Sequence, residues 1–152
     1  ENQAKERESK FLACINKWTP IFQSSIANGP VHEYLEMKKI DSNFLARVTD
    51  KGVLLIPAYD SHAKFCGAQQ IYRNLETGKF EKRYTTGIKK IGSFCPFGPI
   101  RDAKYVYVGE GFATCASVYM ALRDNDKIAV ACLWDTSNLL AGAKEVRKLN
   151  PN

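Results

Sequence analysis

The stretch VYVGEGFATCASVYMAL, residues 106–122, decides how this chain is read. Its first part is a β-branched and aromatic run of strand type, its last part spaces apolar side chains as a helix does, and Gly-Glu-Gly separates them. A strand that turns directly into a helix belongs to an α/β layer, where functional groups gather at the carboxyl ends of the strands. Glu110 stands at that point, between Gly109 and Gly111. Working outward, KYVYVGE, ATCASVYMALRD, KIAVACLW and NLLAGAKEVRKL alternate strand and helix. Residues 101–152 therefore predict a parallel βαβα unit with Glu110 and Asp135 at the ends of its two strands.

Upstream, residues 43–100 change to the two-residue period of strands. GVLLIPAY and KFCGAQQIY flank the turn-forming DSHA and predict a hairpin, and NLETGK leads to FEKRYTTG, which extends a meander. Residues 1–42 read as a helical lead. Phe11, Leu12, Ile15 and Trp18 share one face, Pro20 is expected to end that helix, SSIANGP reads as a loop, and VHEYLEMKKI as a second short helix with Lys38 and Lys39 at its carboxyl end. The predicted class is α/β with an α+β lead: a helical N-terminal segment, a β-meander, then βαβα.

Composition bounds the function. A chain of 152 residues, 45% hydrophobic, is long enough to bury a real core. A net charge of +6 favours polyanionic partners without requiring them. Five cysteines with no CxxC pair suggest neither a disulfide framework nor a zinc ribbon, and point to a reducing, cytoplasmic setting. The apolar runs VLLIPAY and IAVACLW are too short to span a bilayer, so no membrane partner is expected.

Two groups of side chains carry candidate chemistry. In GIKKIGSFCPFGP, Gly87 and Gly92 surround Lys89 and Lys90, a pattern that lets backbone approach a ligand while ammonium groups supply charge. Arg73, Lys82 and Arg83 add cations, interleaved with Tyr72, Tyr84 and Phe94, which suits single-stranded nucleic acid or nucleotide phosphates; the plainer reading is a solvated strand face. His32 and His62 read as surface or turn residues, Cys115 and Cys132 as small core residues, Ser117 as packing, and Asp124 and Asp126 as a solvated turn.

Gly-Glu-Gly itself admits two readings. As a dinucleotide-binding fingerprint it offers Gly109 and Gly111, with Asp135 as the ribose-binding acid, but Thr114 occupies the position where close helix packing wants Gly or Ala. As a metal site it offers Glu110, a carboxylate at a strand end that can hold Mg²⁺. On the second reading VYVGEGFATCASV resembles the first motif of a TOPRIM domain, the fold shared by bacterial-type primases, type IA and type II topoisomerases and some nucleases. Upstream, VHEYLEMKKI, LLIPAYDSHAKFCGAQQIY and GIKKIGSF follow the order seen in plasmid- and phage-type primases, and LWDTSNLLAGAKEVRKL is similar to their second strand and helix.

The resemblance implies a DNA primase that makes RNA primers by Mg²⁺- or Mn²⁺-dependent nucleotidyl transfer. Its partners are a single-stranded DNA template, nucleoside triphosphates and a replicative helicase. Glu110 is implied as metal ligand or general base, Asp135 as a further metal ligand, and Lys89, Lys90, Arg83, Arg73 and Lys82 as nucleic-acid or phosphate ligands, with Gly109, Gly111, Gly87 and Gly92 as motif glycines. The family's second acidic motif, Asp-x-Asp after a third strand, does not occur before the chain closes on LNPN. Metal binding and activity are therefore expected only when that motif follows in a longer protein. A non-catalytic nucleic-acid-binding module is the alternative, with a dinucleotide-binding domain after it.

Overall fold

The computed structural model describes all of residues 1–152. Four helices accompany two sheets, an antiparallel one of four strands and a mixed one of three, so the chain is α/β with an α+β lead. Helix α1 spans Asn2–Ser24 and α2 spans Glu33–Met37. The meander follows as β1 (Arg47–Val48), β2 (Leu54–Tyr59), β3 (Phe65–Arg73) and β4 (Phe80–Tyr84), neighbours in that order. The second sheet contains β5 (Cys95–Phe97), β6 (Tyr105–Gly109) and β7 (Ile128–Cys132), with α3 (Phe112–Leu122) connecting β6 to β7 and α4 (Leu139–Leu149) following β7.

Helix α1 passes through Pro20, where the sequence predicted its end. Proline removes one intrahelical hydrogen bond, that to the Asn16 carbonyl, but Asn16 and Pro20 are both exposed, on the solvent side of the helix. The last turn is worth keeping: Phe22 packs with Leu55 and Ala68, and Trp18 and Ile21 close over them. Each large apolar side chain buried this way contributes about 1.5–3 kcal/mol. A register shift at Ala58/Tyr59 helps, because Phe65 then stacks on Phe22 with ring centroids 5.2 Å apart.

Pro57 lies inside β2, but β1 pairs only with Leu54 and Leu55. At Pro57 the strand is therefore a sheet edge, where proline is tolerated. His32, expected at the surface, is buried instead. It caps α2, its Nδ1 accepting from the Tyr34 amide at 3.1 Å while Nε2 lies 2.8 Å from the Gly52 carbonyl. The turn that carries His62 is exposed, as read.

In the second sheet, β6 and β7 run parallel, with Val108 opposite Ala131 and Gly109 opposite Cys132. The sequence did not predict β5, which joins β7 antiparallel and makes the sheet mixed. The two sheets meet where Tyr59 and Phe94 exchange backbone hydrogen bonds of 2.9 Å. One 17-residue apolar cluster, including Leu35, Ile56, Ile71, Phe97, Phe112 and Val130, runs through α2 and both sheets. All five cysteines are free and buried. No helix is long and apolar enough to cross a membrane.

Candidate functional site

The carboxyl ends of β6 and β7 lie side by side. At the first, Gly109 lets the chain fold tightly onto α3, since a Cβ there would sit 2.8 Å from Cys115 Sγ. Gly111 then caps α3. The turn is tied to β7: the Leu133 amide donates to the Gly109 carbonyl at 2.8 Å, and Cys132 Sγ to the Glu110 carbonyl at 3.1 Å. The Glu110 side chain is exposed, and only Thr136 Oγ1 approaches it, at 3.4 Å.

At the second end, Trp134 adopts φ of +77°, a conformation rare for a bulky residue and costing about 1–3 kcal/mol. The surroundings over-determine it. Its indole Nε1 donates to Ser93 Oγ at 3.1 Å, and its ring meets that of Tyr84 edge-on. Asp135 follows and caps the short turn Thr136–Asn138, accepting from the Ser137 amide and hydroxyl through Oδ1. Its Oδ2 accepts from Lys90 Nζ at 2.6 Å and from Tyr84 hydroxyl at 3.2 Å. Hydrogen bonding by Lys90 first, and by Ser137 next, holds the Asp135 carboxyl down to about 2. The Tyr84 phenol is pushed well above its ordinary value, by burial first and then by the Asp135 charge.

Lys90 reaches Asp135 because the segment 85–93 is clamped from below. Asn138 is fully buried; its Oδ1 accepts from the Gly92 amide at 2.7 Å, and its Nδ2 donates to the Ser93 and Leu133 carbonyls at 2.8 and 3.1 Å. At the other end of the segment, Gly87 has φ of +86°, and any Cβ there would collide with the Lys10 carbonyl of α1. The close approach that glycine permits at this position is to helix backbone. Gly92, also at positive φ, supplies its amide to Asn138.

The structure therefore brings together Asp135, Lys90 and Tyr84, while Glu110 stands at the neighbouring strand end, its side chain approached only by Thr136, the residue after Asp135. The remaining cations go elsewhere. Lys89 places its ammonium 5.4 Å from the centroid of Phe11. Strand alternation sends Lys82 and Arg83 to opposite faces of β4. Lys82 lies over Tyr34 at 5.3 Å, and Arg73 pairs with Glu33 at 3.2 Å while covering Phe80 at 4.4 Å. Arg83 faces α1. Of the rings expected to stack on bases, Phe94 is buried beside Ala129 and Leu133, because β5 begins there, and Tyr72 donates to Glu81. Sequence reasoning missed Asn138 and Ser93; the signal for Asn138 lay in DTSN, a capping pattern before an apolar helix.

The donor set does not make a Mg²⁺ site by itself. No group of three or more His, Cys, Asp or Glu side chains is arranged to hold a metal ion, and Asp135 is paired with Lys90. Asp124 and Asp126 are exposed in the turn between α3 and β7. Comparison with family models, with curated proteins and with solved structures returns no match.

Proposed function

We propose that this chain supplies the first acidic strand of a TOPRIM-type primase centre and acts, within a longer cytoplasmic protein, in template-directed RNA primer synthesis. The observation that carries the reading is the setting of Glu110. It ends a strand, β6, that is apolar throughout, as a strand buried on both faces is, and yet forms the outer edge of its sheet. Tyr105, Tyr107 and Val108 are left about half exposed, at 53%, 46% and 47%. A further strand along that edge would bury them. Its carboxyl end would set an Asp-x-Asp pair beside Glu110, which is exposed and free to join it.

In this reading a primer 3′-hydroxyl attacks the α-phosphorus of an incoming nucleoside triphosphate, the new phosphodiester forms, and pyrophosphate leaves. Mg²⁺ or Mn²⁺, when bound by the completed acidic set, supplies charge stabilisation for the attacking and leaving oxygens. Within this chain, Glu110 contributes one carboxylate. Lys90, held by Asp135 and Tyr84, presents a fixed positive charge toward the same rim. Asp135 acts as the anchor of Lys90 and keeps the segment 85–93 in place.

The test is a longer chain that includes the residues after Asn152 through an Asp-x-Asp motif. Such a protein should synthesise primers on single-stranded DNA with Mg²⁺, and Glu110→Gln should fold normally and lose about a hundredfold or more of that activity. Near-normal synthesis by Glu110→Gln would reduce the carboxylate to the middle of a tight turn. A second reading, a nucleic-acid-binding module without catalysis, is favoured by the engagement of Asp135 with Lys90. It predicts DNA binding by the longer chain with no Mg²⁺-dependent synthesis.

A further inference from the structure

Helix α1 and the edge strand β4 do not close against each other along their whole length. Between them runs an open groove of about 500 Å³, lined by Lys10, Ala13, Cys14, Lys17 and Trp18 from the helix and by Gln70, Arg83, Tyr84 and Thr86 from the sheet. The lining contains three cations, two large rings and no carboxylate. Lys10 is paired with Glu6 at 2.6 Å, outside the groove, whereas Lys17 and Arg83 form no ion pair. Lys17 lies 5.3 Å from the Trp18 ring centroid, so a cation and an indole share one wall. Trp18 is only partly buried: one side of it packs on the Phe22, Leu55 and Ala68 cluster and the remainder faces the groove.

Tyr84 also lines the groove, while its hydroxyl donates to Asp135 at the carboxyl ends of the parallel strands. Cations spaced along an open channel track a phosphodiester backbone, exposed rings stack on unpaired bases, and an amide such as Gln70 offers both a donor and an acceptor to a base edge. Duplex DNA hides the base faces that such rings need. An anionic protein surface would leave the rings without a planar partner.

We propose that the α1–β4 groove is a binding track for single-stranded nucleic acid, with Trp18 as its stacking platform and Lys17 and Arg83 as its phosphate ligands. The choice of ligand rests on the nucleic-acid reading above; the location does not. Helix α1 then has a role beyond packing, since it supplies one wall of the track.

The experiment uses the 152-residue chain without Mg²⁺ and reads tryptophan emission during titration with a 12-nucleotide oligo(dT). The second tryptophan, Trp134, is 5% exposed and hydrogen-bonded to Ser93, so quenching reports on Trp18. Quenching should be saturable and should weaken with salt. Lys17→Ala and Arg83→Ala should each flatten the log–log salt dependence by about 0.7. Trp18→Leu, which keeps apolar packing, should retain the fold by circular dichroism and lower affinity about tenfold by anisotropy of a labelled oligonucleotide, and Trp18→Phe should recover most of it.

Unchanged affinity in Trp18→Leu and in the Lys17→Ala/Arg83→Ala double variant would overturn the proposal, as would an absence of binding. So would inorganic polyphosphate or polyglutamate competing as well as DNA, since that would mark a charged surface with no use for bases. None of these measurements involves Glu110 or primer synthesis. The groove and the catalytic reading can therefore fail independently.

Discussion

Four hydrogen bonds converge on the Asp135 carboxylate, from Lys90, Tyr84 and both donors of Ser137. The residue that the sequence offers as a ribose ligand or a metal ligand is hydrogen-bonded to a lysine in this structure. Its carboxyl is held down to about 2 from an ordinary 3.8. A depressed carboxylate stabilises the fold above its unfolded pKa and loses that contribution as pH falls through its folded one. The Asp135 contribution should therefore be present above about pH 4 and be lost as pH falls through about 2. The side chain is 37% exposed, so solvent screening limits the pair to about 1 kcal/mol or less. Thermal melts across that range should show Asp135→Asn less stable at neutral pH, with the gap to the parent protein closing in acid; a gap that stays constant would mean that the ion pair does not stabilise the fold.

At the scale of elements, Pro20 tests what holds α1 together. The helix keeps its last turn because Ile21 and Phe22 cover the meander, and it tolerates a missing hydrogen bond at a solvent-facing carbonyl. Pro20→Ala restores that bond without disturbing the packing and should stabilise the protein by about 1–3 kcal/mol, less what the more flexible unfolded chain takes back. A denaturant midpoint unchanged or lowered by Pro20→Ala would show instead that the proline is fitted to a bend in the helix. The proline was legible as a helix breaker from local chemistry alone. That it would be overridden depended on Leu55 and Ala68, more than thirty residues away in sequence.

At the scale of the molecule, β6 is the open feature. Its apolar edge presents unpaired backbone groups beside Tyr105, Tyr107 and Val108, and such an edge pairs with whatever strand is offered. The chain on its own should self-associate with rising concentration through this edge. Tyr107→Lys should shift sedimentation toward the monomer while changing stability by less than about 1 kcal/mol, because the side chain is already half exposed. Sedimentation of the parent protein as a monomer at all concentrations would show that the edge protects itself. The same edge carries the functional proposal, so covering it with a further strand should both abolish self-association and complete the acidic site.

Apart from β5, the sequence by itself determined the order of helices and strands, because hydrophobic period and turn chemistry are local properties. The change from period two to βαβα near residue 100, the DSHA and NLETGK turns, and the placement of Glu110 and Asp135 at strand ends all follow from neighbours in the chain. Tertiary structure decided which side chains meet. Lys89 and Lys90 are adjacent in sequence, yet one covers Phe11 and the other grips Asp135. Lys82 and Arg83 are likewise adjacent and serve opposite faces of β4. No local pattern encodes that α1 crosses Gly87, that Asn138 clamps Gly92, or that a groove forms with Trp18 on one wall and Arg83 on the other. Those pairings join residues tens of positions apart, and they form only where burial of a shared core brings their elements together.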